Sequence, residues 1–535
     1  MNKILTIAAL ALVLSACSNE DNDIQTPVEQ PAKSESEGIP FTATISIGES
    51  AMTRALTEDA TNNQIVPTWV AGEKVALIHN GVNDEMSVAS VSGGVATITG
   101  TITGTPTTGD PVTIIYPATA ADGTTGNVKP NLLAAQDGTL ATIAANYDVR
   151  KGTGTMKVSG TTSLNGNVSL TNQFAIFKFT TKNYDASATV SVKPLTITIG
   201  SQDYVITPTT ATNVLYAALP AISSKGVNFT ATGDDSKTYV CAKGNITFSA
   251  GKYYQTTLKM IPGALPGIFT VANGKRAWFS QGNLQAVCTS ADDNINTQET
   301  FTWQFATNQW DYIGDASANK TINGNGSVSA AGTVDFFGWS TTANYYGIHN
   351  SENNSNYSGD FVDWGTLAIT NGGNTANSGW RTPTGAEWVY LFNTRTTGGI
   401  VGETAQARYT HATINTDGTG VNGMILFPDG VDFAASEFTT LGTVNGNSGW
   451  GTQCTTAQWT ALAAKGCMFL PAAGKRVGTA VSLTATRGAY WLPELDQTAT
   501  SSNAGELVFQ SSYLVPQSGG GRYNGFSVRL VRDAE

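Results

Sequence analysis

Phe41-Thr42-Ala43-Thr44-Ile45-Ser46-Ile47 decides how the first half of this chain folds. Apolar and polar side chains alternate one by one, the two-residue period of a strand with one buried face. Phe41, Ala43, Ile45 and Ile47 share one side of such a strand and scatter around a helix. Similar runs return at Val75-Ala76-Leu77-Ile78, Val112-Thr113-Ile114-Ile115-Tyr116 and Phe174-Ala175-Ile176-Phe177-Lys178-Phe179. Leu195-Thr196-Ile197-Thr198-Ile199 turns at Gly200-Ser201 into Tyr204-Val205-Ile206, the pattern of a hairpin. Tyr253 to Leu258 reads as a last strand, and one short helix is expected near residues 132–145. Residues 39–262 are predicted to be mainly β, in two sandwich lobes.

Composition agrees with strands and tight turns. Among 535 residues, 57 are glycine and only 13% are charged, with Thr, Ser and Asn filling the gaps. The length implies more than one core. A formal charge of −11 argues against nucleic acid as a partner, because phosphate binding needs clustered Lys and Arg. After the first residues, no apolar run is long enough to cross a membrane.

Ile261-Pro262-Gly263-Ala264-Leu265-Pro266-Gly267 reads as a linker. Beyond it lie ten of the eleven tryptophans, from Trp278 to Trp491. Thr384-Gly385-Ala386-Glu387 and Thr455-Thr456-Ala457-Gln458 are capping boxes, which predict two short helices. Trp388, Leu391 and Phe392 form the apolar face of the first; Trp459 and Leu462 form that of the second, which Gly466 stops. Residues 263–535 are predicted to form a compact α+β domain.

Lys3, the apolar run from Ile4 to Val13 and the small residues before Cys17 resemble a bacterial lipoprotein signal over residues 1–16. The resemblance implies lipidation at Cys17; the alternative is an ordinary secretory signal with an incidental cysteine. Ser18-Asn19-Glu20-Asp21-Asn22-Asp23 resembles the surface-export signal of Bacteroidetes lipoproteins. Residues 17–38 read as a disordered tether. An outer-membrane, surface-exposed lipoprotein is expected, touching the membrane only through its lipid.

Phe41-Thr42-Ala43-Thr44, Thr53-Arg54-Ala55, Trp69-Val70-Ala71-Gly72-Glu73-Lys74-Val75 and Gly251-Lys252-Tyr253-Tyr254 resemble, in order and spacing, the fimbrillin-like (Mfa-like) pilus subunits of Bacteroidetes. The resemblance implies pilin-like sandwich lobes and other pilin subunits as partners, joined by β-strand exchange. A protease would cut near the first strand, with Arg54 as the candidate site, and a neighbour's strand would fill the groove. The alternative is an uncut loop arginine.

Gly379-Trp380-Arg381-Thr382-Pro383-Thr384-Gly385-Ala386-Glu387-Trp388 and Gly525-Phe526-Ser527-Val528-Arg529-Leu530-Val531-Arg532 resemble signatures of the C-type-lectin-like fold of the formylglycine-generating-enzyme type. Asn308-Gln309-Trp310-Asp311-Tyr312, Asp335-Phe336-Phe337-Gly338-Trp339 and Phe469-Leu470-Pro471-Ala472-Ala473-Gly474 match the subgroup attached to surface lipoproteins. The redox cysteines of those enzymes precede the terminal motif, and no cysteine follows Cys467 here. Cys454 and Cys467 read as a disulfide or as two buried thiols. His79, His349 and His411 have no nucleophile signature beside them, and Asp363, Glu387 and Asp429 are the carboxylates that a glycosidase pair would need. No catalytic residue, no metal and no cofactor are expected.

Between Arg487 and Arg532 the framework is interrupted by Leu492, Glu494, Asp496, Tyr513, Leu514, Ser518, Gly519, Gly520, Gly521 and Tyr523. Asn codons with randomised adenines yield several of these residue types, which resembles the variable segments altered by diversity-generating retroelements. These ten positions are the expected ligand face, for a host or bacterial surface glycan or protein; the alternative is a flexible loop flanked by core aromatics. The expected function is a pilus-tip adhesin, with a non-pilus glycan- or protein-binding surface lipoprotein as the alternative.

Overall fold

The computed structural model describes residues 38–47, 57–59, 64–66, 69–200, 202–289, 301–323, 328–416, 418–447, 449–496 and 503–534. Strand β1 (Ile39–Ile47) buries its alternate side chains as its sequence demands. A small hairpin, β2 (Thr57–Asp59) and β3 (Gln64–Val66), follows. The first lobe is then built from β4 (Lys74–His79), β5 (Val82–Ser92), β6 (Val95–Ile102) and β7 (Pro111–Tyr116). After the two-residue β8 (Ala135–Gln136), which belongs to the next lobe, come β9 (Arg150–Ser159), β10 (Thr161–Leu164) and β11 (Val168–Asn172). The sheet closes on itself because β1 pairs with β6 on one side and with β10 and β11 on the other. Its core holds Phe41, Ile45, Leu77, Met86, Ile98 and Leu170, with Trp69 edge-on to Tyr116 at 4.8 Å.

The second lobe contains β12 (Phe174–Asn183), β13 (Val192–Ile199), β14 (Gln202–Ile206), β15 (Val214–Pro220), β16 (Ile222–Gly233), β17 (Thr238–Phe248) and β18 (Tyr253–Pro262). The strand order is β15-β12-β18-β17-β16-β13-β14-β8. The β13–β14 hairpin forms as expected, with Ile199 opposite Gln202. The helix expected over 132–145 shrinks to one turn, Leu140–Thr142, continued by a wider turn to Tyr147. Residues before it are held elsewhere: buried Gln136 donates to Ala218 O at 2.9 Å and accepts from Ala218 N at 2.8 Å, which fixes β8 in the sheet.

The expected linker is strand on both sides of one glycine. Strand β18 runs to Pro262, and after the single residue Gly263 a new strand spans Ala264–Ala272. Gly263 has φ +74°, and a Cβ there would lie 2.4 Å from Asn371 O; at Gly267 one would lie 2.1 Å from Gly466 O. Glycine serves these positions for conformation and close approach. Val240, Ala242 and Ile261 of the second lobe lie in one buried cluster with Ile268, Trp278 and Trp303 of the C-terminal region.

The C-terminal region combines small sheets with the two capped helices, Gly385–Val389 and Thr456–Ala464, both with their capping boxes made. Trp364, Trp388, Trp459 and Trp491 are fully buried, as are Arg395, Arg476 and Arg529. These arginines bond inward: Arg395 pairs with Asp429 at 3.0 Å, and Arg476 and Arg529 donate to backbone carbonyls. Among the described residues, no helix is long and apolar enough to cross a membrane.

Candidate functional site

Two places follow from the expected sites. The first is the position of β1. Residues Ile39 to Ser46 pair antiparallel with Ile102 to Val95, while Phe41 pairs parallel with Thr162 and Ile45–Ile47 with Val168–Leu170. An N-terminal strand thus occupies a slot between β6 on one side and β10 and β11 on the other, whose facing edges would otherwise be unpaired. Phe41, Ala43, Ile45 and Ile47 plug the core, a burial on the order of 5–9 kcal/mol. Cys17 and Arg54 lie outside the described residues.

The second place is the terminal sheet, three antiparallel strands Arg487–Leu495, Asn503–Gln510 and Tyr513–Gly521. Its middle strand is buried from Ala504 to Phe509, and Glu506 within it binds Arg487 through both oxygens at 3.0 Å. Burial raises the Glu506 carboxyl, and Arg487 opposes that shift. Trp491 sits 4.4 Å from Phe526, and Trp339 Nε1 donates to Leu492 O at 2.9 Å. This framework holds the outer strand.

Several expected ligand positions are corrected. Leu492 is fully buried beside Leu507 and Phe509, because its place on the strand faces the core. The aromatics Tyr490 and Trp491 beside it, which are not among the expected ligand positions, are core. Leu514 is partly buried against the same cluster. Ser518–Gly521 is the end of a paired strand, and its glycines admit covering side chains. A Cβ at Gly519 would lie 2.1 Å from the Asp496 carboxylate, at Gly520 2.8 Å from the Phe526 ring, and at Gly521 2.7 Å from the Tyr523 ring. Gly520 is buried.

Glu494 is half-buried and accepts from Gly385 N at 3.2 Å, at the start of a helix, so it has a structural task. Tyr513 stands at the far end of the outer strand, about 25 Å from Gly521 at the strand rise, outside any common site. Asp496, Ser518, Gly519, Gly521 and Tyr523 do come together, half-exposed at one edge. Asn354 and Asn503 join them: Tyr523 N donates to Asn354 Oδ1 and Asn354 Nδ2 to Asn503 Oδ1, both at 3.4 Å. The sequence reading missed these two asparagines, since Asn353-Asn354-Ser355-Asn356 looks like any polar turn.

Other reactive side chains are engaged structurally. Asp363 accepts from Gly365 N and Thr382 N, Glu387 binds Arg381, and Asp429 accepts from Thr270 and Thr397 besides Arg395. His79 contacts Asp84 at 2.9 Å inside the first lobe. Cys454 and Cys467 are buried free thiols, so the disulfide alternative is not realised. Burial pushes Cys454 up to about 12 and Cys467 well above its usual range. Among the described residues, no cluster of His, Cys, Asp and Glu suited to a metal is present.

No protein-family model matches the chain, and no curated protein does. Among solved structures, it is similar to a fimbrial assembly protein from Parabacteroides distasonis at 12% identity and TM-score 0.24. That alignment covers 45% of this chain and 94% of that one. It is also similar to a fimbrial protein from Bacteroides ovatus at 10% identity and TM-score 0.21, covering 92% of this chain and 99% of that one.

Proposed function

We propose that this chain is a lipid-anchored pilus subunit of the cell surface that carries an adhesive head, placed at the fibre tip. The observation that carries the reading is β1. It is N-terminal, paired along both edges, plugs the first lobe with four side chains, and precedes Arg54 by a few residues. A cut at Arg54 would free this strand and leave an apolar slot flanked by two strand edges, the form in which a neighbour's strand adds affinity through main-chain bonds and register through alternate pockets. The C-terminal region acts as a lectin-like recognition head without enzymatic activity, through the edge formed by Asp496, Ser518 and Tyr523. Its redox cysteines are missing, and its best carboxylates are tied to structural partners.

The test is treatment of the purified chain with an arginine-specific protease, followed by addition of a peptide of residues 39–47. Release of the N-terminal segment, loss of first-lobe stability and its recovery with the peptide are expected, together with co-purification with pilin polymers from cells. A chain that keeps β1 and never enters fibres would instead be a cell-bound binding protein on a stalk.

A further inference from the structure

The outward face of the second lobe changes character where it meets the head. Two rows cross the sheet: Thr198–Asn228–Ala242 and Thr196–Thr230–Val240. The β17 members, Val240 and Ala242, are packed into the head's core. The β16 and β13 members, on the same face, are half-buried and line an open cleft of about 1370 Å³. The far wall comes from the Ala264–Ala272 strand, the helix Thr456–Ala464 and Trp310. Trp310 is fixed there because its neighbour Gln309 is buried, donates to Cys467 O at 3.0 Å and accepts from Phe469 N at 2.7 Å.

The chemistry of this lining selects a ligand class. Three cations (Lys225, Arg276, Lys465) face three carboxylates (Asp203, Asp429, Asp432), so the cleft has no net charge. Asp429 is neutralised by Arg395, and Lys465 is paired with Glu437. Eight threonines line it, beside their methyl groups; the hydroxyls of Thr198, Thr270, Thr397 and Thr460 already donate to Asp203, Asp429 or the Thr456 carbonyl, and the other four can both donate and accept. A half-buried indole adds a flat apolar surface. Convergent polar groups around apolar patches suit a ligand with hydroxylated edges and apolar faces. We propose that this cleft between shaft and head binds a neutral oligosaccharide chain, at a site separate from the terminal sheet and independent of strand exchange.

Calorimetric titration of the full chain with neutral hexasaccharides of glucose, mannose, xylose and N-acetylglucosamine tests this, with hexagalacturonate as the charged comparison. At least one neutral hexasaccharide should bind at one site per chain. Thr230→Trp, which fills the cleft from an exterior sheet face, and Thr196→Val, which keeps shape and removes a hydroxyl, should each weaken it tenfold or more. Tyr523→Ala at the terminal sheet should leave it unchanged. Binding of no neutral hexasaccharide, binding untouched by Thr230→Trp, or binding lost in Tyr523→Ala overturns the proposal.

Discussion

Ile45→Ala is the substitution that separates a permanent core strand from an exchangeable one. Ile45 is fully buried, with Ala96 as its partner on β6 and Val168 on β11. Truncating such a side chain costs the transfer free energy of the lost methylenes plus that of the cavity, about 3 kcal/mol within the usual range for large-to-alanine changes. In the intact chain this should speed hydrogen exchange of the first-lobe strands β4 and β7 roughly a hundredfold under native conditions. If β1 leaves after a cut at Arg54, wild type and variant become the same molecule from residue 55 onward. Refilled with one wild-type peptide of residues 39–47, they should then exchange at the same rate. Ile98→Ala on β6, also fully buried, should stay destabilised in both forms. Mass-resolved exchange on β4 and β7 peptides reads all of these. An Ile45→Ala defect that persists after cutting and refilling would refute exchangeability, and absence of any defect in the intact chain would refute the packing of β1.

Gly267→Ala should lower the head's unfolding midpoint, by an equivalent of about 2 kcal/mol, because the new Cβ meets the backbone oxygen of Gly466 at 2.1 Å and neither backbone has room to retreat. Burial raises the Asp335 carboxyl to about 6, against hydrogen bonds from Ile313 N and Asn319. The folded head therefore keeps a proton that the unfolded chain loses, and its stability should fall by up to about 3 kcal/mol as pH rises from near 4 to near 6. Urea midpoints by tryptophan fluorescence at pH 4.5 and 7 should show about 2 kcal/mol of this difference in wild type and less in Asp335→Asn. Cys454 and Cys467, with raised thiols and no solvent contact, should resist iodoacetamide at pH 8 in the folded protein and react after denaturation, as peptide mapping would show.

Local signals were legible and non-local ones were not. The alternation at Phe41–Ile47 and the capping boxes at Thr384 and Thr455 each specify a structure within a few residues, and each forms. Ile261–Gly267 and Ser518–Gly521 look alike in sequence, rich in small residues; the first reads as a linker, and the second as part of a ligand face with a flexible loop as its alternative. In each case glycine is required by a neighbour outside the segment: Asn371 and Gly466, far along the chain, at the junction, and Asp496, Phe526 and Tyr523 at the terminal sheet. A glycine chosen for closeness cannot be told from one chosen for freedom without knowing its neighbour. The inward turn of Leu492 was hidden for the same reason, since the register of its strand is set by pairing with residues 504–510. The closing of the first sheet by parallel pairing of β1 with β11 joins residues more than a hundred positions apart.

The junction decides how force on the head would reach the shaft. Strand β18 is a central strand, parallel to β12 from Ile176 opposite Tyr253 to Asn183 opposite Met260, and it pairs with β17 at its other edge. Tension along it loads these bonds together, whereas an edge strand can be peeled one bond at a time. The side-chain packing points the same way: Val240 is buried in a cluster made mostly of head residues, and Arg532 from the terminal motif lies 3.5 Å over the ring of Tyr184 in the second lobe. Lobe and head should then unfold as one unit. Val240→Asp tests this, because it buries an unpaired carboxylate in the shared cluster, a cost of several kcal/mol. Hydrogen exchange in β12 and in the Ala264–Ala272 strand should accelerate by the same factor, with β4 unaffected. Acceleration confined to the second lobe would show that head and shaft are separately stable, and the load would then fall on Gly263 alone.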